Sequence, residues 1–511
     1  MRILFIRNIC SPISHSQISY GLGIVATIAH NAGYKVKVID NNTPYKFYRD
    51  KDFIRVINSF KPDVLAYSMT LFDAYEAYQQ IRKFKALFPN LIVVSGGIHM
   101  KHCFEEALRH GVDIVVNREG EKVILPLLRH LEKKGKDGYK RGLESIPGIS
   151  FVKEDKSFYF AKEFPALKNL DKVPSVNYEL FNIDDFIKTK TESGIFYING
   201  QRGCPFSCKF CSDEIQRADK RVSSANWLFK NAVYLYKKYK VRYLLIADNN
   251  ITLFRQRLVD FCNKMIKSGL NEKITFSCQT TVRFPIDEEL LSLMKKAGFG
   301  RINFGVERLT PYSLKKINKV QSIENVYKVL SSVSKLGMDP SVFMMIGFPF
   351  ENRKLLQQEK KLFLGLTKYT KRLWLSVLAP TPGTIYYDNN PKLKEWYLNK
   401  KEHLMFRAYF THVLGMHTFH TIKRNFFDLP EETQKAIKDY YLTFKKIDYG
   451  SVFTKKNIIL SGIMKFDFLI AKLSQAVFAT SPSLEFFMFN RLKAIRYYWG
   501  NYFFSSNLLD E

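Results

Sequence analysis

Short apolar runs alternate with longer stretches of helical spacing along this chain, and they do so in two separate blocks. In the first block RILFI (2–6), KVKVID (35–40), DVLAYS (63–68), LIVVSGG (91–97) and DIVVN (113–117) read as strands. Between them, Leu22, Val25, Ala26 and Ala29 recur at helical spacing ahead of Gly33, and residues 75–88 carry a second helical pattern. Strands alternating with helices predict a parallel sheet covered on both faces, a Rossmann-like α/β unit. Sheets of that kind bind ligands beyond the carboxyl ends of their strands. The second block, 192–385, repeats the alternation through IFYING (195–200), YLLIAD (243–248), ITFSCQ (274–279), RINFGVE (301–307) and VFMMIGF (342–348). Repeated βα units of this kind predict a partial (β/α)6 TIM-like barrel.

The rest of the chain is less regular. Residues 140–190 carry Pro147, Pro165 and Pro174 without clear periodicity, and read as a linker with a small hairpin. Residues 386–511 look mainly helical, aromatic and basic, and no motif assigns them a role. The expected domains are therefore 1–139, 140–190, 191–385 and 386–511. Disorder is excluded as the main state by 43 Phe and 28 Tyr, since disordered chains are poor in aromatics. Seven cysteines in 511 residues do not make a disulfide framework. The formal net charge of +31 points either to an anionic partner (nucleic acid, an acidic membrane surface or a phosphorylated substrate) or to a composition bias. The lysines are scattered among abundant Asn, Ile, Phe and Tyr, which favours the bias over nucleic acid. MRILFIRNIC is too short in apolar length for a secretory leader, and 458–478 is interrupted by Lys465, Asp467 and Lys472. A cytoplasmic protein is expected, with peripheral membrane attachment left open by the apolar and basic mixture at 463–478.

The chemistry is concentrated in Arg202-Gly203-Cys204-Pro205-Phe206-Ser207-Cys208-Lys209-Phe210-Cys211. Three thiolates select zinc or an iron–sulfur cluster. Structural zinc takes four ligands, usually from two knuckles, and no second pair follows at suitable spacing. Three cysteines on one loop suit a cubane with one iron left open.

This loop, following the first barrel strand and with Phe210 before the last cysteine, resembles that of the radical S-adenosylmethionine superfamily. The resemblance implies that Cys204, Cys208 and Cys211 hold a 4Fe–4S cluster whose fourth iron chelates S-adenosylmethionine. One-electron reduction would then yield methionine and a 5′-deoxyadenosyl radical, with the electron from a donor such as flavodoxin or ferredoxin. Later segments are similar to the family in order: Asp248-Asn249-Asn250-Ile251-Thr252, Gly305-Val306-Glu307-Arg308, Gly347-Phe348-Pro349 and Pro380-Thr381-Pro382-Gly383-Thr384. They imply that Phe210, Asp248, Gly305, Glu307 and Gly347 bind S-adenosylmethionine. Arg308 departs from the family's usual serine.

Residues 1–130 resemble the cobalamin-binding domain fused ahead of many such enzymes, through GLGIVATIAHNAGYKVKVID, PDVLAYSMT, SGGIHM and Arg118-Glu119-Gly120-Glu121. The resemblance implies Ser68, Thr70, Gly96, Gly97 and Glu119 as cobalamin-binding residues. The Asp-x-His-x-x-Gly cobalt-ligand motif is not matched around His15, so a corrin without a histidine ligand is expected. Cys10, Cys103, Cys262 and Cys278 read as small buried hydrophobes, and no cysteine beyond 278 could hold an auxiliary cluster.

The implied activity is cobalamin-dependent methylation of an unactivated carbon in a small-molecule, lipid or natural-product substrate. Two alternatives stand beside it: a cobalamin-associated cyclase or oxidoreductase without methyl transfer, and a non-catalytic sensor binding cobalamin or the cluster. No catalytic acid or base is identifiable from the residues.

Overall fold

The computed structural model describes residues 1–8, 18–41, 48–71, 73–181, 196–212, 220–283, 286–378, 380–393 and 427–450. His15, Cys10 and the 458–478 segment lie outside the described residues.

The first sheet holds β1 (Arg2–Arg7), β2 (Lys35–Asp40), β3 (Val64–Ser68), β4 (Ile92–Gly96), β5 (Ile114–Val116), β6 (Ile149–Val152) and β7 (Phe158–Tyr159) in the order β2-β1-β3-β4-β5-β6-β7. Strands β1 to β5 pair in parallel, and β6 and β7 add on in antiparallel sense. Alternate residues of β1 serve opposite faces: Ile3 and Phe5 enter one apolar core, Leu4 and Ile6 the other. That is the expected pattern for a parallel strand covered on both sides. Because β2 and β3 flank β1 on opposite sides, connections leave in opposite directions at the carboxyl ends of β1 and β3. A ligand crevice forms at such a switch point.

The hairpin β6–β7 moves a boundary. The sequence assigns 140–190 to a linker, whereas its first part extends the first sheet. The stretch that follows is a packed strap: Leu170, Val173, Val176, Tyr178 and Phe181 are buried, and the Trp227 indole donates to the Val173 carbonyl at 2.9 Å.

The second sheet contains β8 (Phe196–Ile198), β11 (Tyr243–Ile246), β12 (Thr275–Thr281), β13 (Phe299–Glu307), β14 (Asp339–Ile346) and β15 (Arg372–Val377), adjacent in chain order and all parallel. Strands β8 and β15 are its two edges, so six strands form an open barrel wall. A separate ribbon, β9 (Gln201–Arg202) against β10 (Arg221–Val222), closes the base of the cysteine loop. Helices follow the barrel strands and are started by side-chain caps: Ser224, Asp287, Ser322 and Asn352 each accept a backbone N–H of the first turn. The described residues of the C-terminal region include most of a short helix, Ile385–Asp388, followed further along by a long one, Glu431–Gly450. The long helix packs Tyr440 and Phe444 on Phe363, with ring centroids 5.4 and 6.2 Å apart.

Candidate functional site

All the barrel motifs sit at the carboxyl ends of the parallel strands, the end where (β/α) barrels carry their chemistry. The loop from Gly203 to Ser212 leaves β9 and is pinned to the segment after β13. Lys209 N–H donates to the Ile317 carbonyl at 3.1 Å. The Asn318 amide donates to the Ser207 carbonyl and hydroxyl at 3.0 and 2.6 Å. Cys204, Cys208 and Cys211 are partly exposed, and none is in a disulfide. Burial pushes the Cys208 thiol upward, while the nearby Lys319 and Arg283 charges pull it down and Glu307 and Cys204 oppose them. This neighbourhood places Cys208 beside the end of β13.

A positive and a negative group therefore face each other next to the thiols. Glu307 closes β13 at φ +65°, with Arg308 N–H reaching back to the Val306 carbonyl at 2.8 Å. A glutamate in that left-handed region is held by its surroundings rather than by preference. Burial raises the Glu307 carboxyl, and Lys319 moderates the shift. Gly305 lies directly beneath: a Cβ there would come within 2.9 Å of Glu307 Oε1.

Arg308, where the resemblance expects serine, is fully buried. It pairs with Glu351, approaches Glu359 Oε1 at 3.4 Å, and donates to the Ser313 hydroxyl and the Met345 carbonyl at 3.2 and 3.0 Å. Glu351 in turn accepts Gly347 N–H at 2.8 Å. Gly347 sits at φ +87°, and a Cβ would meet Val377 Cγ1 at 2.7 Å, so this turn needs glycine. Phe348, next in sequence, stacks on Phe350 and meets Phe210 and Tyr386 edge-on. Phe210 thus supports the loop through an aromatic cluster.

Asp248 lies just after β11. Its side chain is fully buried, with one oxygen accepting Gly200 N–H at 2.8 Å and the other paired to Arg257 at 2.5 Å. Both oxygens are engaged, and they order the turn after β8. Its neighbour Asn250 bonds Thr252, Thr280 and Gln201, and its Nδ2 is buried without a partner.

In the first sheet Ser68 and Thr70 lie at the end of β3 beside the switch point. Thr70 is occupied by Asp73, which accepts both its N–H and its hydroxyl. The other oxygen of Asp73 is buried without a hydrogen bond. Burial pushes this carboxyl up to about 6, against the lowering effects of Arg7, Thr70 and His99. Gly96 pairs with Ser68 across the strands. Gly97, at φ +98°, is needed for a reason the sequence does not reveal: a Cβ would lie 2.6 Å from the Met69 carbonyl oxygen. It admits the backbone that follows β3.

Glu119 is bound from the barrel side. Both its oxygens are bound by Arg221 of β10, one at 3.0 Å, and Leu167 N–H adds a bond at 3.0 Å. Burial would raise this carboxyl, but the Arg221 and Leu167 hydrogen bonds and the arginine charges hold it below the usual range. Glu121 binds Arg202 of β9 at 3.2 Å. Arg118–Glu121 is thus a latch between the first sheet and the ribbon under the cysteine loop. Sequence reasoning missed Arg202, Arg221 and Arg257, whose only signal was charge.

One further cluster lies on the turn after β4. The His99 ring is 3.0 Å from Glu106 Oε1. Burial pulls this imidazole down, but the neighbouring Cys103 and Glu106 groups outweigh it and push it up to about 10. Cys262 and Cys278, by contrast, are buried among apolar side chains, with the Cys262 thiol pushed up to about 12 by burial.

Comparison with known proteins adds independent findings. The family model of the Radical SAM superfamily matches residues 198–361, and that of the B12 binding domain matches 9–127. An uncharacterized methyltransferase of Pyrococcus horikoshii is 27% identical over 371 residues, covering 71% of this chain and 76% of its own. The anaerobic magnesium-protoporphyrin IX monomethyl ester cyclase of Rubrivivax gelatinosus is 25% identical over 383 residues, 71% of this chain and 65% of the cyclase. This chain therefore spans about two thirds of the cyclase's length. Among solved structures, the cobalamin-dependent S-adenosylmethionine radical enzyme OxsB with aqua-cobalamin bound superposes with a TM-score of 0.65 at 16% identity, over 98% of this chain and 81% of OxsB. At that identity the likeness is one of fold.

Proposed function

This chain belongs to the cobalamin-binding radical S-adenosylmethionine enzymes, and from that premise we propose that it transfers a methyl group to an unactivated carbon of a small-molecule substrate. Its cofactors are a 4Fe–4S cluster, S-adenosylmethionine and cobalamin. Together these supply a primary-carbon radical able to abstract hydrogen, and a methyl donor. The observation that carries the reading is the latch. Glu119 and Glu121 join the switch-point sheet to the ribbon under Cys204, Cys208 and Cys211, so both cofactor regions are tied to one frame.

The residues present fit these groups. Cys204, Cys208 and Cys211 would hold the cluster: they are accessible thiols spread along one loop. Among the described residues the set of three His, Cys, Asp or Glu donors packed within 4.8 Å lies elsewhere, and a polynuclear cluster spreads its ligands wider than one ion does. Glu307 and Lys319, one acceptor and one cation beside Cys208, are complementary to the ammonium and carboxylate of an amino-acid moiety. Gly305 leaves room there that a side chain would fill. Phe210, held by Phe348, shields the loop from water on one side. Asp248 and Arg308 act as positioning residues, the first for the turn after β8 and the second, through Glu351, for Gly347. Ser68, Thr70 and Gly96 border the crevice proposed for cobalamin.

A lipid or natural product is the substrate class proposed, with a flavodoxin or ferredoxin as electron donor. No helix among the described residues is long and apolar enough to cross a membrane; a cytoplasmic site of action, with or without peripheral attachment at the membrane, is part of the proposal. The test is anaerobic reconstitution with cobalamin, reductant and S-adenosylmethionine, followed by mass spectrometry of the products. Methyl transfer predicts both 5′-deoxyadenosine and cobalamin-dependent S-adenosylhomocysteine. Formation of 5′-deoxyadenosine alone, with substrate present, would replace it by cyclase chemistry of the kind named for the Rubrivivax relative. A Cys208→Ala control is expected to lose the cluster iron and both products.

A further inference from the structure

The turn after β4 carries a second set of metal-ligating side chains that the radical chemistry does not use. A 3-10 turn, Ile98–Lys101, runs into the helix Phe104–Arg109. Helical bonds continue across the junction, with Cys103 N–H to the His99 carbonyl at 3.0 Å and Ala107 N–H to the Cys103 carbonyl at 3.1 Å. Residues 99, 103 and 106, spaced by four and three, therefore share one face. Their donor atoms all lie within 4.8 Å of one another.

Two further observations mark this as a built site. His99 is 4% exposed and its Nδ1 is buried with no hydrogen-bond partner, while Cys103 is 9% exposed. Glu106 is oriented from behind by the Tyr78 hydroxyl, which donates to Oε1 at 3.0 Å, and the Tyr78 ring stacks on His110 at 4.6 Å. Hydrogen bonds to a ligating carboxylate are the usual outer support of a metal site. An imidazole nitrogen, a thiolate and a carboxylate form a mixed donor set suited to a borderline-soft ion; magnesium and calcium prefer oxygen alone.

We propose that His99, Cys103 and Glu106 bind one zinc ion, with water completing the tetrahedron. The thiol and the His99 imidazolium each lose a proton to become ligands, and no redox step is involved. The ion would brace the turn that carries Gly96 and Gly97. The same turn presents His102 against Gly383 and near Ser212, immediately after Cys211, so it borders the cysteine loop. The site shares no residue with that loop and stands or falls independently of the methyl-transfer reading.

The test uses the full chain, reconstituted with iron and sulfide, exposed to zinc chloride and desalted. Elemental analysis is expected to find one zinc per chain besides the iron. Cys103→Ser should lose the zinc and keep the iron, while the triple Cys204→Ala, Cys208→Ala, Cys211→Ala chain should do the reverse. In that triple variant, free of cobalamin, cobalt(II) chloride should give a thiolate-to-cobalt absorption band that one equivalent of zinc removes. Glu106→Gln, which keeps the Tyr78 contact, should weaken cobalt binding at least tenfold. Absence of zinc from the wild-type chain, a band surviving Cys103→Ser, or unchanged affinity in Glu106→Gln would each overturn the proposal.

Discussion

Glu307 combines a left-handed backbone angle with a carboxyl raised by burial, and its free-energy consequence has a definite sign. A carboxyl whose pKa is higher folded than unfolded favours folding below its unfolded value and loses that benefit as pH rises through the folded value. Glu307→Gln is therefore expected to raise the melting temperature at neutral pH and to match the wild type below about pH 4. The same substitution should weaken S-adenosylmethionine binding about tenfold, measured by equilibrium binding to the reconstituted protein. Asp73 follows the same rule with a defined window. Its folded value of about 6 means that stability is lost between about pH 4 and pH 6, by roughly 3 kcal/mol at most. Asp73→Asn, which can still accept from Thr70, is expected to flatten that part of the stability profile in denaturant titrations. Neither shift is legible from the sequence. The Gly-Val-Glu and Ser-Met-Thr motifs locate the residues, but burial is a property of what packs on them.

The elements themselves were largely legible, because their periodicities are local. The five parallel strands of the first sheet and five of the six barrel strands fall within a few residues of their expected places, whereas β15 is not among those expected. What joins them was not legible, since the partners are far apart in sequence. Glu119 and Arg221 are 102 positions apart, and Glu121 and Arg202 are 81. The family resemblance suggested a cobalamin contact at Glu119, where the structure shows an ion pair. Likewise Arg308 reads as a lost hydroxyl, and only the packed chain shows Glu351 and Glu359 waiting for it. Buried pairs of this type are costly to halve. Arg221→Met is expected to destabilise by about 3–5 kcal/mol, because it strands the Glu119 charge. Arg221→Met combined with Glu119→Leu should recover most of that loss, as a double-mutant cycle in urea would show. If the latch also frames the cysteine loop, the single variant will take up less iron even where it remains folded.

Across the whole molecule, one apolar core continues from the first sheet into the barrel. Ile3, Ile24 and Leu127 belong to the same buried cluster as Phe196, Leu228, Phe304 and Tyr440. A shared core and a charged latch predict that the two α/β units unfold together. Scanning calorimetry is expected to give one transition, with calorimetric and van't Hoff enthalpies in agreement; two resolved transitions would mean that the units are energetically separate. Sequence periodicity divided the chain at 139 and 190, because it detects where patterns change. It does not detect the strap of buried side chains from Leu170 to Phe181, which has no repeat and is apolar only where it touches its neighbours.

The latch also orders events in time. A ribosome releases Glu119 and Glu121 well before Arg202 and Arg221, and the three cysteines emerge between those two arginines. The first sheet can thus be complete, with its two carboxylates in place, when the ribbon arrives to be captured. Capture draws the nascent loop shut at its base. A cluster would then be assembled on three thiols of an already anchored hairpin, and translation order itself would prepare the apoprotein for maturation.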